Sequence, residues 1–495
     1  MTAEHDLELA DSEAVFQRVA AHVSEGARFA GLFAAAQDGE TRLRYVLAQD
    51  GSLLCEDIVL PPDASGYMTA TSEIPAAAWY EREIHDLFGL VAIDHPRLDP
   101  LVLPLHPGAP RPRPGSWQHV GPVDLDTRAL PVHLQGEGVF TIPYGPVRSG
   151  VFESIEYLVE TPGEDIPHLR TRVFHKHRGV EIRFEAMSTD DGVLMAERTE
   201  GVASVAHAIA YCQAIERIAE VEVSAEAGVV RVIHAELERI ANHLDSTIRH
   251  TEAAGQVVAY ARLSLHKERV QRLRARLCGS RFGRGVVVPG GVSGPPRLGS
   301  SEIFGAIDEI EGAVRADLRL LLNTPSFVDR LRGTGVIPPA AAHSFALLGP
   351  LARASGQMED VRFARPYAAY GQLGHQLLDT KDEGDALTRQ RVRNEEIYGS
   401  FHLIRQAIDR LSAHGVVWSR TIGPCSGEAI GWAEAPQGEV LYLVSVDGGR
   451  LVRVKPRSAS FHNLGFFHAA FPKDILTDFA FIEASFGVSI AGVAS

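Results

Sequence analysis

The stretch VIHAELERIANHLDSTI (232–248) decides how this chain folds. Ile233, Leu237, Ile240 and Leu244 recur at spacings of four, three and four, which sets an apolar stripe along one side of a 3.6-residue helix. Glu236, Arg239 and His243 share the opposite side, and the simplest reading of them is an ion pair within the helix or a solvated face. The same period runs through SSEIFGAIDEIEGAVRADLRLLLN (300–323), and EGDALTRQRVRNEEIYGSFHLIRQAIDRLS (383–412) predicts another long helix. From about residue 196 onward the chain therefore reads as a helical bundle.

The flanks differ. RLRYVLAQ (42–49) and LLCEDIVL (53–60) are strand-like, and SEIPAAAWYEREIHDLFGL (72–90) predicts a helix over 75–88, with Pro75 in its first turn and Gly89 just past its end. VLPLHPGAPRPRPGSWQH (102–119) carries too many prolines for a helix or a central strand and reads as a linker. FTIPYGPVRSGVFESIEYLVE (140–160) and RVFHKHRGVEIRFEAM (172–187) read as strands and turns, while GEVLYLVSVDGG (438–449) and LVRVKPRSAS (451–460) read as a hairpin packed on the bundle. The fold class is α+β. A small α/β domain occupies 1–101, a Pro-rich linker 102–124, and a mainly helical domain with a β-rich entry and a C-terminal hairpin 125–495.

Composition narrows the function. Hydrophobic residues make up 45% and charged residues 22%, as in an ordinary folded protein. A net charge of -15, without a dense basic run, argues against nucleic acid and anionic lipid as partners. The longest apolar stretch, FAFIEASFGVSIAGVA (479–494), is too short for a membrane span and carries Glu483. The acidic start lacks a secretory signal pattern, so a cytoplasmic location is expected. Cys55, Cys212, Cys278 and Cys425 are far apart and form no CxxC pair, so neither zinc, an iron-sulfur cluster nor a disulfide scaffold is written locally.

Few motifs carry chemistry. Walker, HExxH, GxSxG and Rossmann patterns are missing. PGGVSGPPRLG (289–299) is glycine-rich without nucleotide-binding spacing and reads as a tight surface loop. His175 and His177 would share a face on a strand; a metal pair and a hydrogen-bonded pair both fit, the latter more simply because no third ligand stands nearby. In RTEGVASVAHAIAYCQAIE (198–216), Glu200, Ser204, His207 and Tyr211 would share one face of a helix.

Taken in order, the motifs carry a resemblance. WYEREIHDLFGL (79–90) followed by DHPRLDPLVLP (94–104) resembles the signature of the thirty-kilodalton-type subunit of respiratory complex I, through Glu81, Arg82, Glu83, Asp86, His95 and Arg97, with His85 where an acid is usual. GPVRSGVFES, FHKHRGVE, AHAIAYCQAIE, HAELERIANHL, VVVPGGV, GEAIGWAEAPQGE and VRVKPRSASFHNL resemble the quinone-site subunit of complex I and the related large subunit of membrane-bound [NiFe] hydrogenases. The fusion of both modules is similar to formate hydrogenlyase large subunits and their energy-converting relatives.

The resemblance implies a cytoplasmic electron-transfer subunit, peripheral on the inner face of the cell membrane. It implies a small iron-sulfur partner subunit that holds the clusters, antiporter-like membrane subunits, and a formate or NADH dehydrogenase module. The chain departs from both relatives at the active centre. Hydrogenases hold nickel and iron with four cysteine thiolates, the soft ligands such a centre requires; the corresponding positions here are Glu200, Ala203, Ser489 and Gly492, so a nickel-iron centre is expected to be absent. The complex I quinone headgroup lies between a histidine and a tyrosine, whose positions are taken by Arg148 and by Gly201 after Glu200. Glu200, His207 and Arg148 are the catalytic candidates, and Arg148, His175, His177, Arg178, Glu181, Glu200 and His207 line the expected quinone or vestigial cavity. The alternative is a structural and coupling subunit without catalysis.

Overall fold

The computed structural model describes residues 2–37, 39–105, 111, 113, 134, 136–148, 154–374, 383–411 and 416–494. Most of the expected linker lies outside the described residues. The fold is α+β, as expected.

The N-terminal part begins with α1 (Thr2–Ser24) and a meander of β1 (Arg28–Gln37), β2 (Glu40–Gln49) and β3 (Ser52–Leu60), paired antiparallel in that order. A parallel pair, β4 (Gly66–Met68) and β5 (Val91–Ile93), brackets α2 (Ala78–Phe88). Pro75 opens a 3-10 turn ahead of α2, and Gly89 ends it at φ 78°, a left-handed position suited to a residue without Cβ. The acidic signature of this region is structural. Glu81 accepts hydrogen bonds from the Thr69 and Thr71 hydroxyls (2.5 and 2.7 Å) and from the Ala70 N–H (2.7 Å). Asp86 accepts from the backbone N–H groups of Leu101, Val102 and Leu103 at 2.7–3.2 Å.

A second meander, β6 (Phe140–Tyr144), β7 (Glu156–Thr161) and β8 (His168–Arg172), forms the β-rich entry. The segment expected to continue as strands does not. His175 lies in a 3-10 turn (Phe174–Lys176), and Glu181 on a short helix α3 (Val180–Phe184), so His175 and His177 share no strand face. Then come α4 (Thr189–Thr199), α5 (Ser204–Ile218), α6 (Ala225–Ala253), α7 (Val257–Cys278), the two-residue strands β9 (Val287–Val288) and β10 (Gly291–Val292), and α8 (Ser300–Leu322). Four short helices, α9 to α12 (Pro325–Leu331, Pro339–Ser344, Gly349–Ala354 and Val361–Ala364), lead to α13 (Ala386–Asp409). The C-terminal β element is a sheet of three strands, with β11 (Gly427–Ala435) beside the expected hairpin of β12 (Gly438–Asp447) and β13 (Arg450–Arg457), followed by α14 (Ala459–Leu464) and α15 (Phe479–Phe486).

Helix α6 is buried on nearly every side. Ile233, Leu237, Ile240 and Leu244 are buried as the stripe predicts, but Glu236, Arg239 and His243, read as a solvated face or an internal pair, are equally inaccessible. The expected pair within the helix is present, with Arg239 Nε 3.4 Å from Glu236, and distant elements add further partners: Arg362 pairs with Glu236 at 3.0 Å, while Glu396 on α13 takes His243 at 2.7 Å and Arg353 at 2.8 Å. Arg353 also reaches Glu434 on β11 at 3.0 Å.

The N-terminal meander packs on the C-terminal sheet, where Ala30, Phe33, Val46 and Ala48 meet Leu441 and Leu443. Polar contacts fasten the same seam. Lys455 lies between Glu83 (2.7 Å) and Glu181 (2.6 Å), and the Tyr80 hydroxyl meets His462 Nδ1 at 2.7 Å. On the other face of that sheet, β11 crosses α5 so closely that a Cβ on Gly431 would lie 1.9 Å from the Ala210 carbonyl oxygen. Gly431→Ala is therefore expected to push the sheet off the helix and cost about 2 kcal/mol, read as a lowered thermal midpoint; an unchanged midpoint would contradict the packing.

Candidate functional site

The 198–216 segment does not form one helix. Helix α4 stops at Thr199, Glu200 is extended (φ -139°), a 3-10 turn spans Gly201–Ala203, and α5 starts again at Ser204. The restart has a distant cause. The Glu238 carboxylate on α6 accepts from the backbone N–H groups of Val205 (2.9 Å) and Ala206 (3.1 Å), satisfying donors that every helix start leaves open. This fixes His207 one turn into α5, where it meets Glu200 despite the break: Nε2 lies 3.2 Å from Glu200 Oε2.

Around this pair the structure closes a polar cluster. Ser460 donates to Glu200 Oε1 at 2.6 Å and accepts from the Ser489 N–H at 3.0 Å. His207 Nδ1 lies 2.8 Å from the Tyr442 hydroxyl, which is itself 3.2 Å from Thr199 Oγ1. Glu200, His207 and Tyr442 are at most 1% exposed. Burial pushes the Tyr442 phenol far up, with the Thr199 hydrogen bond opposing and the Glu200 carboxylate adding to the rise. The C-terminal segment covers the pair: Ser458 donates to the Gly492 carbonyl at 2.7 Å, and a Cβ at Gly492 would stand 2.6 Å from Glu200 Oε2. Arg178 holds that segment down, donating to the carbonyl oxygens of Ala494 and Ala491 on one side and of Arg198 and Thr199 on the other.

The structure thus brings together Glu200, His207, Ala203, Ser489, Gly492 and Arg178, but Arg178 acts as a backbone clamp and not as an ion pair for Glu200. It does not bring in Arg148. That guanidinium pairs with Glu483 at 2.8 Å and packs over Tyr144 and Tyr157. His175 is turned to Glu156 at 3.6 Å. His177 is half-buried beside Glu181 and Lys455, and its partial burial lowers its pKa. Glu181 belongs to the seam network with Lys455, Arg453 and Glu83; burial would raise its carboxyl, but Arg453 and Lys455 outweigh this and hold it far below the usual range. Tyr211, expected on the Glu200 face, donates to the Thr189 carbonyl at 2.8 Å.

Sequence reasoning missed Tyr442, Ser460 and Thr199. Tyr442 had a signal: a hydroxyl in the middle of an apolar strand has to find a buried partner.

Neither prosthetic group implied by the resemblance fits this donor set. The four thiolate positions offer a carboxylate, a methyl, a hydroxyl and a hydrogen, and the carboxylate is already engaged by Ser460 and His207. A quinone clamp between Arg148 and Glu200 is not formed, because each is committed to a different partner. Among the described residues no group of three or more His, Cys, Asp or Glu side chains is placed to hold a metal ion.

Comparison with known proteins gives the chain its relatives. The family of the respiratory-chain NADH dehydrogenase 49 kDa subunit matches residues 254–424 and 410–494, and that of the 30 kDa subunit matches residues 11–114. The carbon monoxide-induced hydrogenase of Rhodospirillum rubrum is 31% identical over 332 residues, covering 66% of this chain and 90% of that protein. Formate hydrogenlyase subunit 5 of Escherichia coli is 26% identical over 440 residues, covering 86% and 77%. An NADH-quinone oxidoreductase subunit of Deinococcus radiodurans is 29% identical over 355 residues, covering 66% and 88%.

Proposed function

Because the chain belongs to the family of the respiratory-chain NADH dehydrogenase 49 kDa subunit, with a 30 kDa-subunit domain fused ahead of it, we propose that it is an electron-transfer-complex subunit without a nickel-iron centre. Its buried Glu200–His207–Tyr442 chain handles a proton. It docks on a small iron-sulfur subunit that holds the clusters, and sits peripherally on the cytoplasmic face of a membrane arm of antiporter-like subunits. A formate or NADH dehydrogenase module supplies electrons. Among the described residues no helix is long and apolar enough to cross a membrane.

The observation that carries this reading is an unbroken buried chain of hydrogen bonds, from Ser460 through Glu200, His207 and Tyr442 to Thr199. Each member has a neighbour on both sides, so the hydrogen atoms along the chain can be arranged in either direction without stranding a buried polar group. Such a chain is the arrangement a relayed proton needs.

In the purified complex, Glu200→Gln and Tyr442→Phe are each expected to lower donor-driven proton translocation at least about tenfold, in the range of losses seen when a positioned proton-transfer group is removed. Arg148→Ala is expected to leave it unchanged. Stoichiometric nickel in the purified complex would overturn the first clause, and full translocation in both variants would overturn the second. That second outcome favours a purely structural and coupling subunit, a reading supported by the full burial of the cluster and its cover of residues 489–494.

A further inference from the structure

The glycine-rich loop singled out in the sequence, PGGVSGPPRLG (289–299), is not used by the cluster above. In the structure it walls a small cavity of about 140 Å³ between α6 and the end of α7. Four polar side chains line it: His234, Cys278, Ser293 and Arg297. Two of them lack the partners their chemistry calls for. His234 is 1% exposed, makes no hydrogen bond among the described residues, and its Nδ1 is fully buried. Arg297 is exposed, and among the described residues its guanidinium has neither a carboxylate within ion-pair range nor a hydrogen-bond acceptor. It lies over Gly279, where a Cβ would approach it to 2.8 Å.

The cavity lining contains no carboxylate, and Arg274, which pairs with Glu238 at 3.4 Å, lies near His234. The nearest acid bearing on Cys278, Glu197, is occupied by the Gly285 N–H at 2.5 Å. Burying an imidazole without any hydrogen bond is costly, and native proteins rarely leave such a group unexplained. An exposed guanidinium and an exposed hydroxyl at the mouth of a small pocket, with an unpartnered imidazole in its wall, complement a small oxyanion.

We propose that this cavity is a binding site for a small oxyanion, of the carboxylate, carbonate or phosphate class, held by Arg297, Ser293 and His234. The site is separate from the Glu200 cluster, and its existence does not depend on the reading given there. Cys278, in the cavity wall, reports occupancy, because a bound anion shields its thiol.

The test is alkylation of the intact complex with iodoacetamide, read residue by residue by mass spectrometry, with exposed Cys55 as the internal reference. Sodium formate, bicarbonate and phosphate are titrated separately against sodium chloride at matched ionic strength. With a few charge-assisted hydrogen bonds an affinity on the order of 1 mM is expected, so about 10 mM of the preferred anion should slow Cys278 alkylation roughly tenfold by mass action, with Cys55 unaffected. Comparing the three anions identifies the class. Arg297→Ala, an exposed substitution that leaves the core intact, should abolish protection, and so should His234→Phe. Equal slowing at Cys55, protection that survives Arg297→Ala, or no protection by any of the three anions would overturn the proposal.

Discussion

Acidification from about pH 7 to about pH 5 is expected to destabilise this chain by an amount comparable to its whole folding free energy, before most carboxylates titrate. The cause is a set of histidines folded away as neutral imidazoles. Burial lowers His243 and His250 to about 4 each, and lowers His234, beside Arg274, to about 3. In the unfolded chain each returns to about 6.5. The folded pKa is the depressed one, so below about 6.5 the unfolded state binds protons that the folded state refuses, and stability falls as pH falls. Each histidine contributes about 1.4 kcal/mol per pH unit within that window, or roughly 2 kcal/mol at pH 5. Three such groups together come to about 6 kcal/mol, within the 5–15 kcal/mol that usually separates folded from unfolded.

Paired carboxylates extend the loss to lower pH. Burial would raise Glu396, but Arg353, the His243 hydrogen bond and Arg239 outweigh it and hold this carboxyl well below the usual range, so protonating it also favours unfolding. The measurement is the urea midpoint of the purified complex followed at this chain by hydrogen exchange, from pH 7.5 to 5. A midpoint that stays flat over that range would contradict the burial of these imidazoles in neutral form.

The fate of individual residues explains what the sequence could reveal. The apolar side of α6 was legible because its spacing alone specifies a buried stripe. Its polar side was only partly legible: Arg239 does pair with Glu236 inside the helix, but Glu236 is also taken by Arg362, and Arg239 and His243 by Glu396, which lie more than a hundred residues away in the chain. Local periodicity has no access to such partners. The Glu200–His207 pair was correctly associated, for a reason other than the one its spacing suggested. A continuous helix would put the two on one face; the chain breaks between them, and Glu238 restarts the helix so that they meet across the break. Arg148 was drawn to the site by its position in a motif, yet Glu483, more than three hundred residues downstream, captures it. The doubled histidines 175 and 177 lost their shared face once the segment adopted a 3-10 turn. Motif order put these residues side by side as candidates, and long-range contacts decided which of them meet.

Glu396→Ala is expected to be among the most damaging single substitutions in the chain, costing about 3–5 kcal/mol, because it strips the shared anion from several buried donors at once. Arg353, Arg239 and His243 all turn to this carboxylate, at 2.8, 3.5 and 2.7 Å. None can reach water instead, since all are at most 1% exposed. Glu396→Gln is expected to cost less. The amide keeps an acceptor for one arginine, and Arg353 keeps its other carboxylate, Glu434, at 3.0 Å. The ordering wild type, then Gln, then Ala in urea midpoint and in the yield of assembled complex is the expected result. If Glu396→Ala falls within about 1 kcal/mol of wild type, a size typical of exposed pairs, the network is a surface feature and α6 is not the charged centre of the fold.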